Sequence, residues 1–536
     1  MTPIAVIATV AGAVVAPFAW FGNASGHDFE FHMYSWLEVL SQWKQGVLYP
    51  RWASLSHWGY GEARFFFYPP ASWHLGALIG AALPWKMAAG MYIWIALTVS
   101  GVSMFVLARQ YFNRSDAIFA AALYAANPYI IVIVYWRSAF AELLAASLLP
   151  FLLLQVLRIA DGDRLAMVWL SLVLAAVWLT NAPAAVMSMY SLALLAAVLS
   201  RIQRRPIVLG FAGLAAVLGL GLAAFYVLPA AYETRWVNIA QVLAPGVRPR
   251  DNFLMTIGSD ADHNRFNLLV TLVGGVEIVV VALAARMSRR WRQNNSNLWW
   301  TLVLWGAVAS CLMLSPTLFL WDYLPKLRFV QLPWRWLLCL GVPFALLMTM
   351  GVRRWLARAA LCTAFLVVIL VIWNRIQAPW WDGEPDIKEM TDAMEDKIGY
   401  EGAEEYVPVG VDPYDAKPDA PEVIAEGSAQ PSIKIERWQA ESKIFTVSTH
   451  GPVNVLLKLY NYPAWKVDIN GNATIVRGRP KTGQIVIPVS SGESVISVTL
   501  ARTWKPARNS TIPRTSLGPP PSRRHGYLTP IQRAPH

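Results

Sequence analysis

The chain has 536 residues, 56% of them hydrophobic and only 15% charged, with a formal net charge of +12. That balance leaves too little polar surface for three or four soluble domains and excludes collagen-like, disordered and disulfide-scaffold classes, so the chain reads as an integral membrane protein. The charge is unevenly placed: residues 382–430 hold 15 acidic residues against three lysines, so the remainder is more basic than the total suggests.

A spanning helix needs about 20 apolar residues. Candidates run over 3–21, 86–108, 117–136, 141–157, 165–181, 183–200, 207–228, 267–285, 298–316, 333–351 and 357–373, about eleven spans of a polytopic α-helical membrane protein. The first lacks the basic n-region of a cleaved signal peptide and is read as retained. Arg109, Arg114, Arg158, Arg164, Arg201, Arg204, Arg205, Arg286, Arg289, Arg290, Arg292, Arg353, Arg354 and Arg358 fall in alternate short loops, against Arg137, Lys326 and Arg328 opposite. The arginine side is therefore expected to be cytoplasmic, in the plasma (inner) membrane. The N-terminus then lies inside, and the segments 22–85, 229–266 and everything after residue 374 lie outside. Cys311, Cys339 and Cys362 fall in apolar stretches and read as small packing residues.

Residues 1–375 make the transmembrane domain, and 376–431, acidic and rich in Pro and Gly, an expected linker. From 432 to 502 the pattern turns to period two, with Val453, Val455, Leu457 and Leu459, then an Asn470-Gly471 turn, then Ile485, Ile487 and Val489, and finally Ile496, Val498 and Leu500. This predicts an extracytoplasmic all-β domain, a sandwich or barrel. The tail 503–536 has neither period and is expected to be disordered and basic.

The first outer loop, with Asp28, Glu30, Glu38 and Glu62, concentrates carboxylates beside a membrane that generally excludes them. On a helix Asp28 and His32 stand at i,i+4, and Glu30, Tyr34 and Glu38 form a second row, so a carboxylate and an imidazole can share one cleft. An interfacial helix with a wet polar side gives the same pattern. Basic residues on the outer side, among them Arg64, Arg137, Arg328 and Arg335, point to an anionic ligand, since guanidinium forks match phosphate oxygens. Arg137 and Glu142 in YWRSAFAE are ionisable groups at membrane depth, where cost makes function or a structural ion pair the alternatives. Asp260, Asp262, His263 and Arg265 suit a divalent metal or a solvated loop. The chain carries no Walker lysine, nucleotide-binding glycine loop, zinc spacing or Ser-His-Asp order, and its positive charge follows membrane boundaries, which argues against nucleic acid.

HDFEFHMYSWLEVLSQWKQGVLYPRW, GYGEARFFFYPP, YWRSAFAELLAASLLP and LRFVQLPWRWL resemble the membrane proteins labelled 6-pyruvoyl-tetrahydropterin synthase-related, over roughly residues 20–375. Nothing in the chain suggests pterin chemistry. These proteins resemble the wider GT-C class of polytopic glycosyltransferases, and NYPAWKVDINGN is similar to the β-domain of YfhO-like relatives. The resemblance implies a polyprenyl-phosphate sugar donor and a glycan, lipid or protein acceptor at the membrane lipid surface. It implies Asp28 as the acidic residue that accepts or orients the acceptor proton, with Glu30 second. His32, Glu62, Arg64, Arg137, Glu142, Arg328 and Arg335 are the substrate-binding candidates. A divalent ion (Mg or Mn) is left open, with Asp28, Glu30 and Asp260 as its candidate ligands. A flippase for lipid-linked saccharides is the alternative, hinted at by Asn181-Ala-Pro183 and by Gly274-Gly275 with Glu277, and a non-catalytic envelope assembly protein is another.

Overall fold

The computed structural model describes residues 2–427 and 430–501. The chain divides into two units, one built from Met1–Ala53, Ala63–Ile398 and Ala403–Tyr406, the other from Ser54–Glu62, Gly399–Gly402 and Val407–His536. The expected tail 503–536 lies outside the described residues.

Among the described residues, eight helices are long and apolar enough to cross a membrane: Pro3–Phe21, Trp85–Ala108, Arg114–Arg137, Phe140–Asp161, Ala182–Gln203, Ala261–Asn294, Pro333–Gly351 and Trp355–Arg375. Two bent pairs, Ile207–Leu222 with Ala224–Trp236 at 76° and Ser296–Leu312 with Ser315–Tyr323 at 89°, make ten if each pair is one span. Leu165–Thr180 is apolar but shorter. Every apolar stretch read from the sequence falls on helix, and the chain is a multi-pass membrane protein. Pro333–Gly351 is buried along almost its whole length and forms the centre, whereas Pro3–Phe21 and Trp355–Arg375 lie at the edge. Leu209, Val217, Val279, Leu283, Val367 and Val371 are exposed, as on a surface that meets lipid.

Each bend frees backbone groups that a water-free interior would leave unpaired. At the second bend the Leu254 N–H donates to Met313 O at 3.0 Å, the Trp321 indole to Leu312 O at 3.2 Å and the Thr317 hydroxyl to Leu314 O at 2.8 Å.

The stretch 376–431, expected as a linker, is partly regular. Trp381–Asp382 pairs antiparallel with Asn23–Ala24, and Glu384–Glu395 is a helix. Pro385 stands in its first turn and Asp386 accepts from the Gly383 N–H at 2.8 Å, both helix-start features. Ile387, Met390 and Met394 are buried along one face. Acidic composition hides these three apolar residues, because periodicity and not average polarity decides whether a helix can pack.

The second unit holds two antiparallel sheets. One has the order Val423–Glu426, Val453–Tyr460, Gln484–Val489, Arg477–Gly478; the other Ser432–Trp438, Ser442–Thr449, Gly492–Leu500, Trp465–Ile469, Asn472–Thr474. Val455, Leu457, Ile485 and Ile487 are buried in the first, and Phe445, Val447, Ile496 and Val498 in the second, which is the period-two pattern realised. Asn470 and Gly471, at φ 52° and 80°, make the turn between two strands, a conformation those residues adopt at low cost. Ser54–Glu62 is a working part of this unit. Trp58 N–H donates to Tyr400 O at 3.1 Å, Tyr460 N–H to Tyr60 O at 3.1 Å, and the rings of Tyr60 and Tyr460 stack at 5.3 Å.

Candidate functional site

The site in the first unit begins with a helix that is interrupted twice. Within Arg114–Arg137 the helix stops at Ala125 and restarts at Pro128. Asn127 caps the restart, its Oδ1 accepting from the Ile130 N–H at 2.8 Å. The last turn, Ile133–Arg137, is a π-helix that ends on Ser138 at φ 50°, in the left-handed region. Such a turn leaves its final carbonyls without helical partners. The loop after the first span takes them: His27 N–H donates to Trp136 O at 3.3 Å and Asp28 N–H to Arg137 O at 2.8 Å. Ser138 Oγ accepts from the Gly26 N–H at 2.9 Å and donates to Ala24 O at 2.9 Å. A Cβ on Gly26 would come within 2.5 Å of the Trp136 carbonyl carbon and 2.6 Å of the Arg137 backbone, so only glycine lets the two segments meet.

This stapling sets Asp28 opposite Arg137. Asp28 precedes Phe29–Lys44 yet makes no side-chain cap bond. Its carboxylate is 42% exposed, and Oδ2 lies 3.8 Å from Arg137 Nη2, too far for a hydrogen bond. Its lone pairs are thus available to a ligand.

Behind it lies a buried polar network. Arg137 Nη1 donates to Glu142 Oε2 at 2.5 Å, and the Tyr129 hydroxyl to Glu142 Oε1 at 2.6 Å. Arg335, at the start of the central span, places Nε 3.2 Å from the same Oε2, though not aligned as a hydrogen bond. Its Nη1 donates to Val330 O at 2.8 Å and Gln331 Oε1 at 3.1 Å. The Arg137 guanidinium lies 4.8 Å over the Trp334 ring, a cation–π contact. Two guanidiniums therefore share one buried carboxylate, with the half-exposed Asp28 the next negative charge in reach. These two positive and two negative charges balance, and a phosphate that displaced Asp28 from Arg137 would be held through charge-assisted bonds.

His32 is buried among Phe31, Trp36, Tyr68 and Phe140, and its Nε2 has no hydrogen-bond partner. Burial pulls its pKa down to about 4, with the charges of Arg64 and Arg137 lowering it further against the opposing pull of Asp28. It is neutral at pH 7. Arg64, also buried, donates to Ser35 Oγ at 2.9 Å and lies 4.3 Å over the Phe31 ring, bracing the helix that carries Asp28 and His32.

The two rows of that helix face different fields. Asp28 and His32 turn toward Arg137 and Arg64, whereas Tyr34 stands near Glu30, Glu389 and Asp382, and burial together with those negative charges pushes its pKa up to about 12. Glu30 is exposed and sits in acidic company, which separates it from Asp28.

Of the remaining candidates, Arg328 is exposed, with its guanidinium 5.2 Å over the Phe329 ring. Glu62 belongs to the second unit, where its carboxylate meets buried His57 Nε2 at 3.0 Å. Asp260 caps Ala261–Met287, its Oδ1 accepting from the Asp262 and His263 N–H groups at 2.9 Å each. Among the described residues no three His, Cys, Asp or Glu side chains are grouped to hold a metal ion. With guanidiniums as its neighbours, Asp28 does not fit a divalent site. Sequence reasoning missed Tyr129, Ser138 and Gly26. The Asn127-Pro128 break was the available signal for Tyr129, whereas the backbone approach at Gly26 leaves none.

A family model described as 6-pyruvoyl-tetrahydropterin synthase related domain, membrane protein, matches residues 65–381. No curated protein matches the chain. Among solved structures, the Archaeoglobus fulgidus oligosaccharyltransferase in the apo form aligns at 12% identity and TM-score 0.38, covering 75% of this chain and 56% of that one. The chain thus spans little more than half that enzyme's length. ArnT from Cupriavidus metallidurans bound to undecaprenyl phosphate aligns at 13% identity and TM-score 0.33, covering 74% of this chain and 88% of that one. The oligosaccharyltransferase AglB of Archaeoglobus fulgidus, in complex with an inhibitory peptide and a dolichol-phosphate, aligns at 14% identity and TM-score 0.37, with 75% and 56% covered. Function has to be argued from the residues.

Proposed function

The chain belongs to the 6-pyruvoyl-tetrahydropterin synthase-related family of membrane proteins, and from there we propose that it moves a sugar from a polyprenyl-phosphate donor to an extracytoplasmic acceptor. The observation that carries this reading is the pairing of Arg137 and Arg335 on the single buried carboxylate of Glu142, beside a half-exposed Asp28 that approaches Arg137 at 3.8 Å without a hydrogen bond. Guanidiniums held rigidly where a leaving phosphate gathers charge stabilise the transition state without reorganising. Asp28 accepts the proton of the acceptor hydroxyl as its oxygen bonds to the anomeric carbon. The bond from that carbon to the phosphate oxygen breaks, and the polyprenyl phosphate leaves with the electron pair toward Arg335 and Arg137. The uncharged His32 imidazole and the charged Arg64 guanidinium, both buried, back the helix that presents Asp28, and Glu30 is second to Asp28 as base.

Sidedness supports the same reading. Arg137 ends a span that begins at Arg114, and Arg335 opens one that runs down to Arg353 and Arg354, so the cluster stands at the helix ends opposite the arginine-rich loops. The positive-inside rule puts those loops in the cytoplasm of a plasma (inner) membrane, and the site and the β-rich unit outside.

The test compares extracytoplasmic glycoconjugates, by mass spectrometry, from a host lacking the gene and from hosts restored with the wild type or with Asp28→Asn. The reading expects a glycan decorated only with the wild type. Equal decoration by the Asp28→Asn variant removes Asp28 as base, and unchanged glycans in all three remove the transferase reading.

A further inference from the structure

Glu277 lies in the middle of the spanning helix Ala261–Asn294 and is fully buried. Its Oε1 accepts from the Tyr129 N–H at 2.9 Å, and its Oε2 has no hydrogen-bond partner. The segments packed against its helix, Pro128–Val132, Ser296–Leu312 and Leu337–Gly351, contain no charged residue and only Tyr129, Cys311 and Cys339 as titratable side chains. Towards the C-terminal end Arg286 on the helix itself lies about 14 Å along the axis and Arg289 and Arg290 in the turn beyond it about 18–20 Å, at 1.5 Å per residue. An ionised carboxylate with one hydrogen bond and no cation in such surroundings is far costlier than a neutral acid with one idle hydroxyl.

The contact it makes is a needed one. Pro128 restarts the helix in the bundle interior, where no water can satisfy the first amides. Asn127 Oδ1 takes the Ile130 N–H, Asn127 O takes that of Ile131 at 3.1 Å, and Glu277 takes that of Tyr129. Tyr129 is therefore gripped at both ends, by Glu277 on its amide and by Glu142 on its hydroxyl.

We propose that Glu277 is carried as a neutral carboxylic acid and is a positioning residue, fixing Tyr129 so that its hydroxyl holds Glu142 between Arg137 and Arg335. The positioning role rests on the anion-site reading above; the protonation state does not. Glu277 thus reaches the site across the bundle, through one tyrosine.

The experiment uses the full chain in lipid nanodiscs, with Glu277→Gln, Glu277→Leu, Tyr129→Phe and the Leu/Phe double variant. Infrared spectroscopy at neutral pH reads the carbonyl stretch of protonated carboxyls, and titration with undecaprenyl phosphate reads the site. The wild type is expected to show a protonated-carboxyl band that Glu277→Gln lacks, and Glu277→Gln to bind the phosphate as the wild type does. Glu277→Leu is expected to bind about tenfold more weakly, and the double variant no more weakly than Tyr129→Phe, because Glu277 acts through the Tyr129 hydroxyl. No band lost in Glu277→Gln overturns the neutral acid. Additive losses, or Glu277→Gln binding as weakly as Glu277→Leu, overturn the positioning role. Where the wild type itself binds no phosphate, the anion-site reading fails, and the NMR signal of a labelled Tyr129 decides instead: moved by Glu277→Leu and not by Glu277→Gln if the inference holds, unmoved by either if it does not. If Glu277→Leu does not fold, Tyr129→Phe decides the positioning role: it is expected to bind the phosphate more weakly than the wild type, and equal binding overturns that role.

Discussion

Asp28 stands before its helix without capping it, and its carboxylate makes only a long approach to Arg137 at 3.8 Å. Asp28→Asn is accordingly expected to lower turnover by about a hundredfold or more while leaving the thermal unfolding midpoint where it is. Glu142→Gln should behave in the opposite way. It strands two buried guanidiniums on a neutral amide, and a loss of about 3–5 kcal/mol of stability is expected, read by denaturant unfolding in detergent. His32 supplies a pH signature. Its pKa is about 4 in the folded chain against an ordinary 6.5, so between those values the unfolded chain binds the extra proton. Stability is complete above pH 6.5 and falls as pH drops toward 4, by about 3 kcal/mol in all. The His32→Phe variant should flatten that slope in unfolding curves taken across this window, and an unchanged slope would contradict a neutral buried His32.

At the scale of elements, the existence of the helices was legible because apolar runs are long, though not their bounds, since 267–285 runs over Ala261–Asn294 and two stretches are bent pairs; the β-strands were legible because alternation and the Asn470-Gly471 turn are local signals. The interruptions were less so. Asn127-Pro128 can be read as a break, but the π turn at Ile133–Arg137 depends on the carbonyls of Trp136 and Arg137 meeting the amides of His27 and Asp28, a pairing more than 100 residues apart in sequence. Gly26→Ala tests it directly. The added Cβ meets backbone and not a flexible side chain, so phosphate binding at the Arg137 site should weaken even though no charged group is changed; unaltered binding would show that the staple does not set the site. The segment Ser54–Glu62 gives a second case, since nothing in its composition announces that it completes a β-unit far along the chain. A fragment covering residues 399–501 is expected to stay unfolded by circular dichroism until a peptide of residues 54–62 is supplied.

For the whole molecule, composition alone identified a membrane protein, and alternation of arginine loops proposed its sidedness. What composition concealed was the helix Glu384–Glu395, where an acidic average masks an apolar face. Sidedness is open to measurement in a variant free of Cys311 and Cys362: a membrane-impermeant maleimide should label Lys434→Cys in intact cells and Arg290→Cys only after lysis. The most direct measurement of the central claim is single-turnover consumption of a panel of radiolabelled polyprenyl-phosphate sugars by the purified chain, beside Asp28→Asn and Arg335→Gln. The account predicts that one donor is consumed by the wild type, bound but spared by Asp28→Asn, and bound poorly by Arg335→Gln. A donor that both variants consume at the wild-type rate would contradict it.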